Sequence, residues 1–453
     1  MAKHDIPLSE IYGERWTYDI QPPLFYFSAW LFEPITGENI AARRLVNFLW
    51  IALAAIGFAA LARRSPGSRD FLKIFAILIA SNPFVWDLLA EHRSYAAQIA
   101  AVSLLFAALM TLIKDGKDYT AAHRPTLTII TFAMLVASNL HYLTSAILGI
   151  PLLNTIIFFW MRGKRRWALR LFLVCVLSYL ALAVSALAQL TRVNVVYQNF
   201  WATTTVWEAL RAITFVLGCA IFANVLAILS LCTSLIQTSR LRRIDLNARD
   251  VLLLTLSSIA LTLVFVITLN YFKPVLMPRY LTPVAIMPIA ALAFVLADRS
   301  VTRPWLNLIL INALVLVGGM TFVKSVAKKS NKLASVIGQA AKACPSTQVI
   351  AIPHWVARSD KMYVMVNEPD VVALGYHVLG KQYGFRPSTG SVPTTLGKSC
   401  PSIVWSEHYF GPPPRFDTVA RLAKLRLPKA NLFQVQLEQS STGFMIVYRP
   451  ISQ

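Results

Sequence analysis

A cluster of ionisable and aromatic residues lies between two long apolar runs, within the segment SNPFVWDLLAEHRSYAAQ. Its members are Asp87, Glu91, His92, Arg93 and Tyr95. The Arg93 guanidinium could bind a phosphate through two parallel hydrogen bonds, and the Glu91 carboxylate could orient it or bind a divalent metal. Charged residues at membrane depth are costly and are usually functional. The alternative is an interfacial Glu91–Arg93 ion pair whose long side chain reaches into water.

Two further segments place polar groups at the same kind of boundary. These groups are His141 and Tyr142 in SNLHYLTS, and Lys273, Arg279 and Tyr280 in NYFKPVLMPRYLTP. A phosphate on a membrane lipid would meet Lys273 and Arg279, whereas the alternative for both cations is simple anchoring at the membrane surface. His141 could bind a ligand or substrate, but a lone histidine between apolar runs is often only a hydrogen-bonded interfacial residue.

The first 42 residues form an acidic stretch in an otherwise basic protein. The acids are Asp5, Glu10, Glu14, Asp19, Glu33 and Glu38, against Lys3 and Arg15. Most are expected to be solvated. Asp19 differs because it lies two residues before a Pro-Pro step, in YDIQPPLFYF. A carboxylate held there could take a proton from a hydroxyl or ligate a divalent cation. The following PPLFYFSAWLF is too short to span a bilayer and predicts an interfacial helix with proline in its first turn.

The composition indicates a membrane protein. Of the 453 residues, 56% are hydrophobic and 14% are charged, and the mean hydropathy is +0.57. A soluble domain would have about a quarter of its residues charged. Ten apolar runs are long enough to be candidate spans. They lie near 44–62, 71–88, 95–113, 126–140, 142–161, 167–188, 209–237, 251–270, 280–297 and 305–323.

The basic residues alternate between the connections of these runs. One set is rich in Lys and Arg, as in RRSPGSR, RGKRR and SRLRRIDLNAR, and the other set is poor in them. The positive-inside rule places the basic set in the cytoplasm. The other set, at 89–94, 139–142, 189–208 and 271–279, then faces outward together with both chain termini and all the polar clusters above. Because the net charge of +22 is explained by these loops, nucleic acid is not an expected partner.

Residues 324–453 carry no span and alternate short β-like runs with helix-like runs, which predicts a small extracytoplasmic α/β domain. The sequence thus divides into an outer-face N-terminal segment (1–43), a transmembrane domain (44–323) and this soluble domain (324–453). The soluble domain has 16 Lys or Arg against 6 Asp or Glu. Its basic surface could rest on anionic lipids, bind an anionic acceptor, or simply be solvated.

Two cysteines of the soluble domain, Cys344 and Cys400, each begin a CPS triplet before a strand-like run. An oxidising exterior would allow a disulfide between them. The alternative is two unpaired, buried thiols.

The order of these motifs resembles that of the integral-membrane glycosyltransferases of the GT-C type. The resemblance is to the bacterial branch related to protein O-mannosyltransferases and aminoarabinose transferases. It rests on QPPLFYF (21–27), RRLVNFLW (43–50), NPFVWDLLAEHRSYAAQ (82–98) and RYLTP (279–283), and it covers roughly 18–300.

The resemblance implies a mainly α, polytopic membrane enzyme that moves a sugar from a polyprenyl-phosphate carrier to an acceptor at the outer face of the bacterial cytoplasmic membrane. The sugar and the acceptor (a lipid, a glycan or a protein) stay open, as does a divalent metal ion. Asp19 and Glu91 would be the catalytic carboxylates. The substrate-binding residues would be Gln21, Pro22, Pro23, Tyr26, His92, Arg93, Tyr95, His141, Tyr142, Lys273, Arg279 and Tyr280.

Two departures from the family pattern keep other functions open. The family usually has a span before the Pro-Pro motif, followed by an outer loop with a key acid, and it has histidine where this chain has Gln21. The chain could therefore be a catalytically impaired, N-terminally truncated member. A lipid or glycan transporter is the alternative from another class. Internal symmetry would favour it.

Overall fold

The computed structural model describes most of the chain. The described residues are 22–37, 39–91, 93–115, 120, 123–198, 205–222, 246–272, 276, 278–298, 316, 318–326, 332–351, 355–358, 361–364, 369–388, 399–406, 433–439 and 443–450. The chain divides into a first unit, Met1–Lys329, and a second unit, Ser330–Gln453.

The first unit is helical. Its helices are α1 (Leu24–Leu31), α2 (Glu33–Thr36), α3 (Ile40–Arg64), α4 (Arg69–Ala80), α5 (Pro83–Leu89), α6 (Tyr95–Asp115), α7 (Arg124–Ser138), α8 (Tyr142–Met161), α9 (Arg165–Gln198), α10 (Val206–Phe222), α11 (Leu246–Phe272) and α12 (Thr282–Asp298). Short 3-10 turns lie at Pro66–Ser68 and Pro278–Leu281. A further helical stretch covers 318–326. The expected helix after the Pro-Pro step is α1, with Pro23 as its N-cap.

Five helices among the described residues are long and apolar enough to cross a membrane: α3, α6, α8, α9 and α11. A bent pair, Pro66–Ala80 with Pro83–Leu89, makes a sixth if it is counted as one span, and α7 and the stretch Pro278–Phe294 are shorter apolar helices. These helices coincide with the predicted runs, and the polytopic helical fold class is confirmed. Much of the runs at 209–237 and 305–323 lies outside the described residues, so a count of ten stays a prediction.

The second predicted run is not one straight span. Its two helices, α4 and α5, meet at 65° across Ser81 and Asn82. Asn82 precedes a proline, which disfavours helical backbone at that position, and its φ of −80° and ψ of 117° are extended. The Asn82 side chain accepts a hydrogen bond from the Phe84 backbone N–H and so begins α5 as a new helix.

Helix α6 forms the centre of the first unit. Every residue from Tyr95 to Ile113 is buried, and α3, α7, α11 and α12 all pack against it. The many alanines of α6 let these neighbours approach closely. The contact with α3 is also close on the other side, because a Cβ added at Gly57 of α3 would collide with Leu104 of α6. The peripheral helices instead expose apolar side chains, such as Leu49 and Leu53 on α3, as lipid-facing helices do.

Contacts between the connections show which of them lie at the same end of this bundle. Ser65 donates hydrogen bonds to the Asp115 carboxylate, at 2.8 Å to each oxygen. Arg162 forms an ion pair with Asp250 at 2.5 Å. All four residues lie in or beside the connections that are rich in Lys and Arg, which therefore gather at one end of the helices.

The second unit is a small α/β structure. Its elements are α13 (Lys332–Ala343), β1 (Gln348–Ala351), β2 (Trp355–Arg358), β3 (Lys361–Val364), α14 (Pro369–Tyr383), β4 (Pro387–Ser388), β5 (Ser402–Ser406), β6 (Phe433–Gln439) and β7 (Phe444–Pro450). The main sheet has the order β4-β1-β5-β7-β6, in which β4, β1 and β5 are parallel and β7 is antiparallel to both neighbours. Strands β2 and β3 form a separate antiparallel hairpin.

The core of this unit lies between the sheet and its helices. It contains Ile337 of α13, Tyr376 of α14 and Trp405 of β5, and the Tyr376 and Trp405 rings meet edge to face at 4.7 Å. Cys344, which follows α13, and Cys400, which precedes β5, form a disulfide with a Cα–Cα distance of 5.8 Å. The pairing expected from the sequence is therefore present.

Candidate functional site

Three buried polar atoms in the first unit define the candidate site. Among the residues that the structure describes, the Tyr95 hydroxyl, His141 Nδ1 and Arg279 Nε are buried and have no hydrogen-bond partner. Native proteins pair nearly all such atoms, because a buried polar atom without a partner is destabilising by about 1–3 kcal/mol. Groups of this kind are typical of sites that bind a polar ligand.

These groups come from three distant segments and lie together. The His141 ring is 4.7 Å from the Tyr280 ring, and the Arg279 guanidinium carbon is 5.6 Å from the same ring. Tyr95 is within electrostatic range of Arg279 and Tyr280, and His141 is within range of Arg279. The Tyr280 ring is thus close to both a cation and an imidazole.

The environment keeps His141 neutral. Burial, and to a lesser extent the positive charge of Arg279, lower the pKa of His141 to about 4. Its ordinary value is near 6.5, so the imidazole carries no charge at physiological pH. A neutral ring can offer Nδ1 as a donor or as an acceptor. Arg279 therefore supplies the positive charge of this group.

A buried hydrogen-bond chain fixes the segments that carry Tyr95 and His141. Gln98 Nε2 donates to Ser94 Oγ at 3.0 Å, and Thr144 Oγ1 donates to Gln98 Oε1 at 3.0 Å. All three side chains are fully buried. Because Ser94 and Gln98 are at the start of α6 and Thr144 is in the first turn of α8, the chain holds these two helix starts side by side.

The Arg279–Tyr280 pair is held by a 3-10 turn and its flanks. Asn270 Oδ1, near the end of α11, accepts a hydrogen bond from the Leu276 backbone N–H at 3.1 Å. The Thr282 hydroxyl donates to the Arg279 carbonyl oxygen at 3.2 Å, where α12 begins. The irregular segment predicted from its two prolines is thus anchored at both ends.

The loop with Glu91 and Arg93 adjoins the site. Both residues are within electrostatic range of Tyr95. Glu91 is partly buried, whereas Arg93 is exposed. Asn47 of α3 fixes the loop, since its Nδ2 donates to the Leu89 carbonyl at 2.9 Å and to the Glu91 carbonyl at 2.7 Å. Both hydrogens of one buried amide are therefore used to hold the loop backbone.

Replacing Asn47 with alanine is expected to destabilise the first unit by about 2–4 kcal/mol, because two carbonyl groups lose their donor in a buried setting. Thermal unfolding of the purified protein in detergent measures this loss. Leu49→Ala is the control, since Leu49 lies on the same helix and is 44% exposed. Equal thermal stability of the two variants would contradict the role of Asn47.

Of the predicted site residues, six lie close together in the structure: Glu91, Arg93, Tyr95, His141, Arg279 and Tyr280. Tyr142 has a different contact, because its hydroxyl donates to Gln189 Oε1 of α9 at 2.6 Å. Pro22, Pro23 and Tyr26 are described, and the Tyr26 ring meets the Phe25 ring at 5.7 Å. The proposed residues Asp19, Gln21, His92 and Lys273 lie outside the described part of the chain.

Sequence reasoning missed Asn47, Gln98 and Thr144, which position the site without lining it. A signal was available for the two amides, because each is an isolated polar residue within an apolar helix. Among the described residues, no group of three or more His, Cys, Asp or Glu could hold a metal ion.

Comparison with known proteins gives a structural match only. No protein-family model matches the chain, and no curated protein matches it. Two crystal structures of ArnT from Cupriavidus metallidurans do match. This chain is similar to ArnT in fold. The structure with bound undecaprenyl phosphate has 14% identity and a TM-score of 0.48, and covers 94% of this chain and 87% of that one. The apo structure has 14% identity and a TM-score of 0.49, and covers 97% and 91%.

ArnT is a GT-C glycosyltransferase, the type that the sequence motifs resemble. The function proposed for this chain rests on its own residues.

Proposed function

We propose that this chain is a glycosyltransferase that takes a sugar from a polyprenyl-phosphate carrier and passes it to an acceptor at the outer face of the cytoplasmic membrane. The observation that carries the proposal is the convergence of Tyr95, His141 and Arg279, each with an unpartnered polar atom. A cation and two neutral hydrogen-bonding groups that lie close together suit a phosphate at the end of a lipid.

The position of the site supports an outer-face reaction. Glu91, His141 and Arg279 belong to three different connections, all from the set that is poor in Lys and Arg. These three connections lie together at one end of the bundle, and the basic connections lie together at the other end. In the proposed orientation, the site, both termini and the soluble domain (324–453) lie outside the cytoplasm. The other proposed parts are the N-terminal segment 1–43 and the membrane domain 44–323.

The proposed reaction is a substitution at the anomeric carbon of the sugar. An acceptor hydroxyl oxygen bonds to this carbon while the bond from the carbon to the phosphate oxygen breaks, and its electron pair stays on the phosphate. Arg279 would stabilise the negative charge that develops there. A carboxylate takes the acceptor proton as a general base, and Glu91 and Asp19 are the proposed bases for this step.

Phosphate-dependent lipid binding tests the proposal. The purified chain in nanodiscs is expected to bind undecaprenyl phosphate, the carrier present in the ArnT crystal structure, and not the undecaprenol that lacks the phosphate. Native mass spectrometry would measure both. Glu91→Gln should keep this binding and lose transfer of a labelled sugar from the membrane lipid fraction. Equal binding of the alcohol and the phosphate would overturn the proposal.

A transporter of such lipids is the second candidate. The polar groups of the site lie at the starts of α6, α8 and α12 instead of at their midpoints, which favours surface chemistry over a path through the membrane. Movement of a labelled carrier across sealed vesicles, with no sugar transfer, would favour the transporter. Binding without either activity would favour a catalytically impaired protein.

A further inference from the structure

One edge of the sheet in the second unit carries four exposed basic residues. The parallel strands β4, β1 and β5 all begin at this edge, and α13 and α14 end there. The residues are Lys342 in the last turn of α13, Lys381 in the last turn of α14, Arg386 immediately before β4, and Arg449 near the end of β7. These four define the basic edge.

Strand register places Arg449 on the same edge as the others. Strand β7 runs antiparallel to β5, so Tyr448 pairs with Ser402, the first residue of β5. Arg449 therefore lies at the start of β5, although it is near the end of its own strand. Three strand intervals separate β4 from β7, and neighbouring strands are about 4.8 Å apart, so the basic edge spans about 14 Å.

The Lys342 side chain lies beside the turn that leads to Arg386. Gly384 has a φ of +81°, a left-handed conformation that favours glycine, and it leads from α14 to Arg386. A Cβ at Gly384 would lie 3.9 Å from Cε of Lys342. The Lys342 side chain thus runs along the turn that carries Arg386.

The basic edge stands apart from the acidic residues in the described elements of this unit. Glu438 pairs with Met445 at the far end of β6, and Asp370 is in the first turn of α14, about 17 Å along the helix from Lys381 in its last turn. Helix dipoles give a local reason for cations at Lys342 and Lys381, which are in last turns. Arg386 and Arg449 have no such local reason, because neither is in a helix.

We propose that the basic edge binds the anionic head groups of a lipid bilayer. The partner is a lipid surface because the first unit is a membrane unit, and only residues 327–331 connect its helical stretch at 318–326 to α13. Five residues span at most about 17 Å, so chain connectivity alone makes the bilayer that holds the first unit an available partner. Exposed charges act over about 8 Å at physiological salt. When the 14 Å edge lies along a lipid surface, all four cations fall within that range of the head groups.

Lysine footprinting of the full chain tests this surface. The protein is reconstituted in nanodiscs of either zwitterionic phosphatidylcholine or the same lipid with about a third of phosphatidylglycerol. We expect acetylation of Lys342 and Lys381, read by mass spectrometry, to slow at least threefold on the anionic discs and to recover in 0.5 M salt. Lys332, which lies exposed at the opposite end of α13 and beside the linker, shows how far any protection extends beyond the basic edge.

A variant with Arg386→Gln and Arg449→Gln keeps both reporter lysines and is expected to lose most of the protection. Equal labelling of Lys332, Lys342 and Lys381 in both lipid mixtures would overturn the proposal. Soluble polyglutamate provides the remaining comparison. If it protects the two lysines in zwitterionic discs as strongly as anionic lipid does, the partner is a soluble polyanion and the lipid assignment is wrong.

Discussion

Replacing Arg279 with glutamine is expected to weaken binding of undecaprenyl phosphate by about 10- to 100-fold. The reason is that hydrogen bonds involving a charged group contribute about 1.5–3 kcal/mol, and 1.4 kcal/mol is a factor of ten in affinity. Arg279 is the cation among the three groups that define the candidate site, it lies over the Tyr280 ring, and its Nε has no partner among the described residues. Titration of the nanodisc-bound protein by native mass spectrometry measures the change.

Two further variants separate the charge from its geometry. Arg279→Lys keeps the positive charge and loses the planar donor fork, so its affinity should fall between those of the wild type and Arg279→Gln. Lys73→Gln removes an exposed cation of α4 that pairs with Asp70 at 4.0 Å, and it should leave affinity unchanged. If Arg279→Gln binds the phosphate as tightly as Lys73→Gln does, the phosphate is bound elsewhere.

Removing the Cys344–Cys400 disulfide is expected to destabilise the second unit by about 4 kcal/mol. The two cysteines are 56 residues apart, and closing a loop of that length restricts the unfolded chain by about this amount. Hydrogen exchange of the β5 amides reports unfolding of this unit directly, because β5 is its fully buried central strand. The double variant Cys344→Ser, Cys400→Ser should exchange these amides about a thousandfold faster.

Cys175→Ser supplies the matched control, since Cys175 is a free thiol in α9 of the first unit. Its β5 amides should exchange as in the wild type. Unchanged exchange in the double variant would mean that packing of Trp405 and Tyr376 alone holds this unit together.

The fold was predictable where a single local pattern decided the structure. Long apolar runs gave helices such as α6 and α11, because apolar length is a sufficient signal for a span. The disulfide was predictable because only Cys344 and Cys400 fall in the soluble domain. The bend between α4 and α5 was not predicted, although Asn82-Pro83 is a local signal for a helix break. Apolar composition on both sides of the break hid it.

The site was predictable by residue type and not by contact. Rare charges and aromatics at the connections identified Glu91, Arg93, Tyr95, His141, Arg279 and Tyr280, which the structure brings together. The role of Asn47 depends on a loop 42 and 44 residues away, and the partner of Tyr142 is 47 residues away. Contacts over such separations depend on how helices pack, which no local pattern in one sequence specifies.

The complete burial of α6 bears on how the protein responds to the thickness of its membrane. Lipid tails touch the outer helices, such as α3 and α9, so a thicker or thinner bilayer tilts those helices first. Helix α6 has no lipid-facing side, and its depth is set by its protein neighbours. Because Tyr95 begins α6 and is tied to α8 through Gln98 and Thr144, the polar site moves with the protein interior. Hydrophobic mismatch is thereby absorbed at the periphery, away from the groups proposed to bind phosphate.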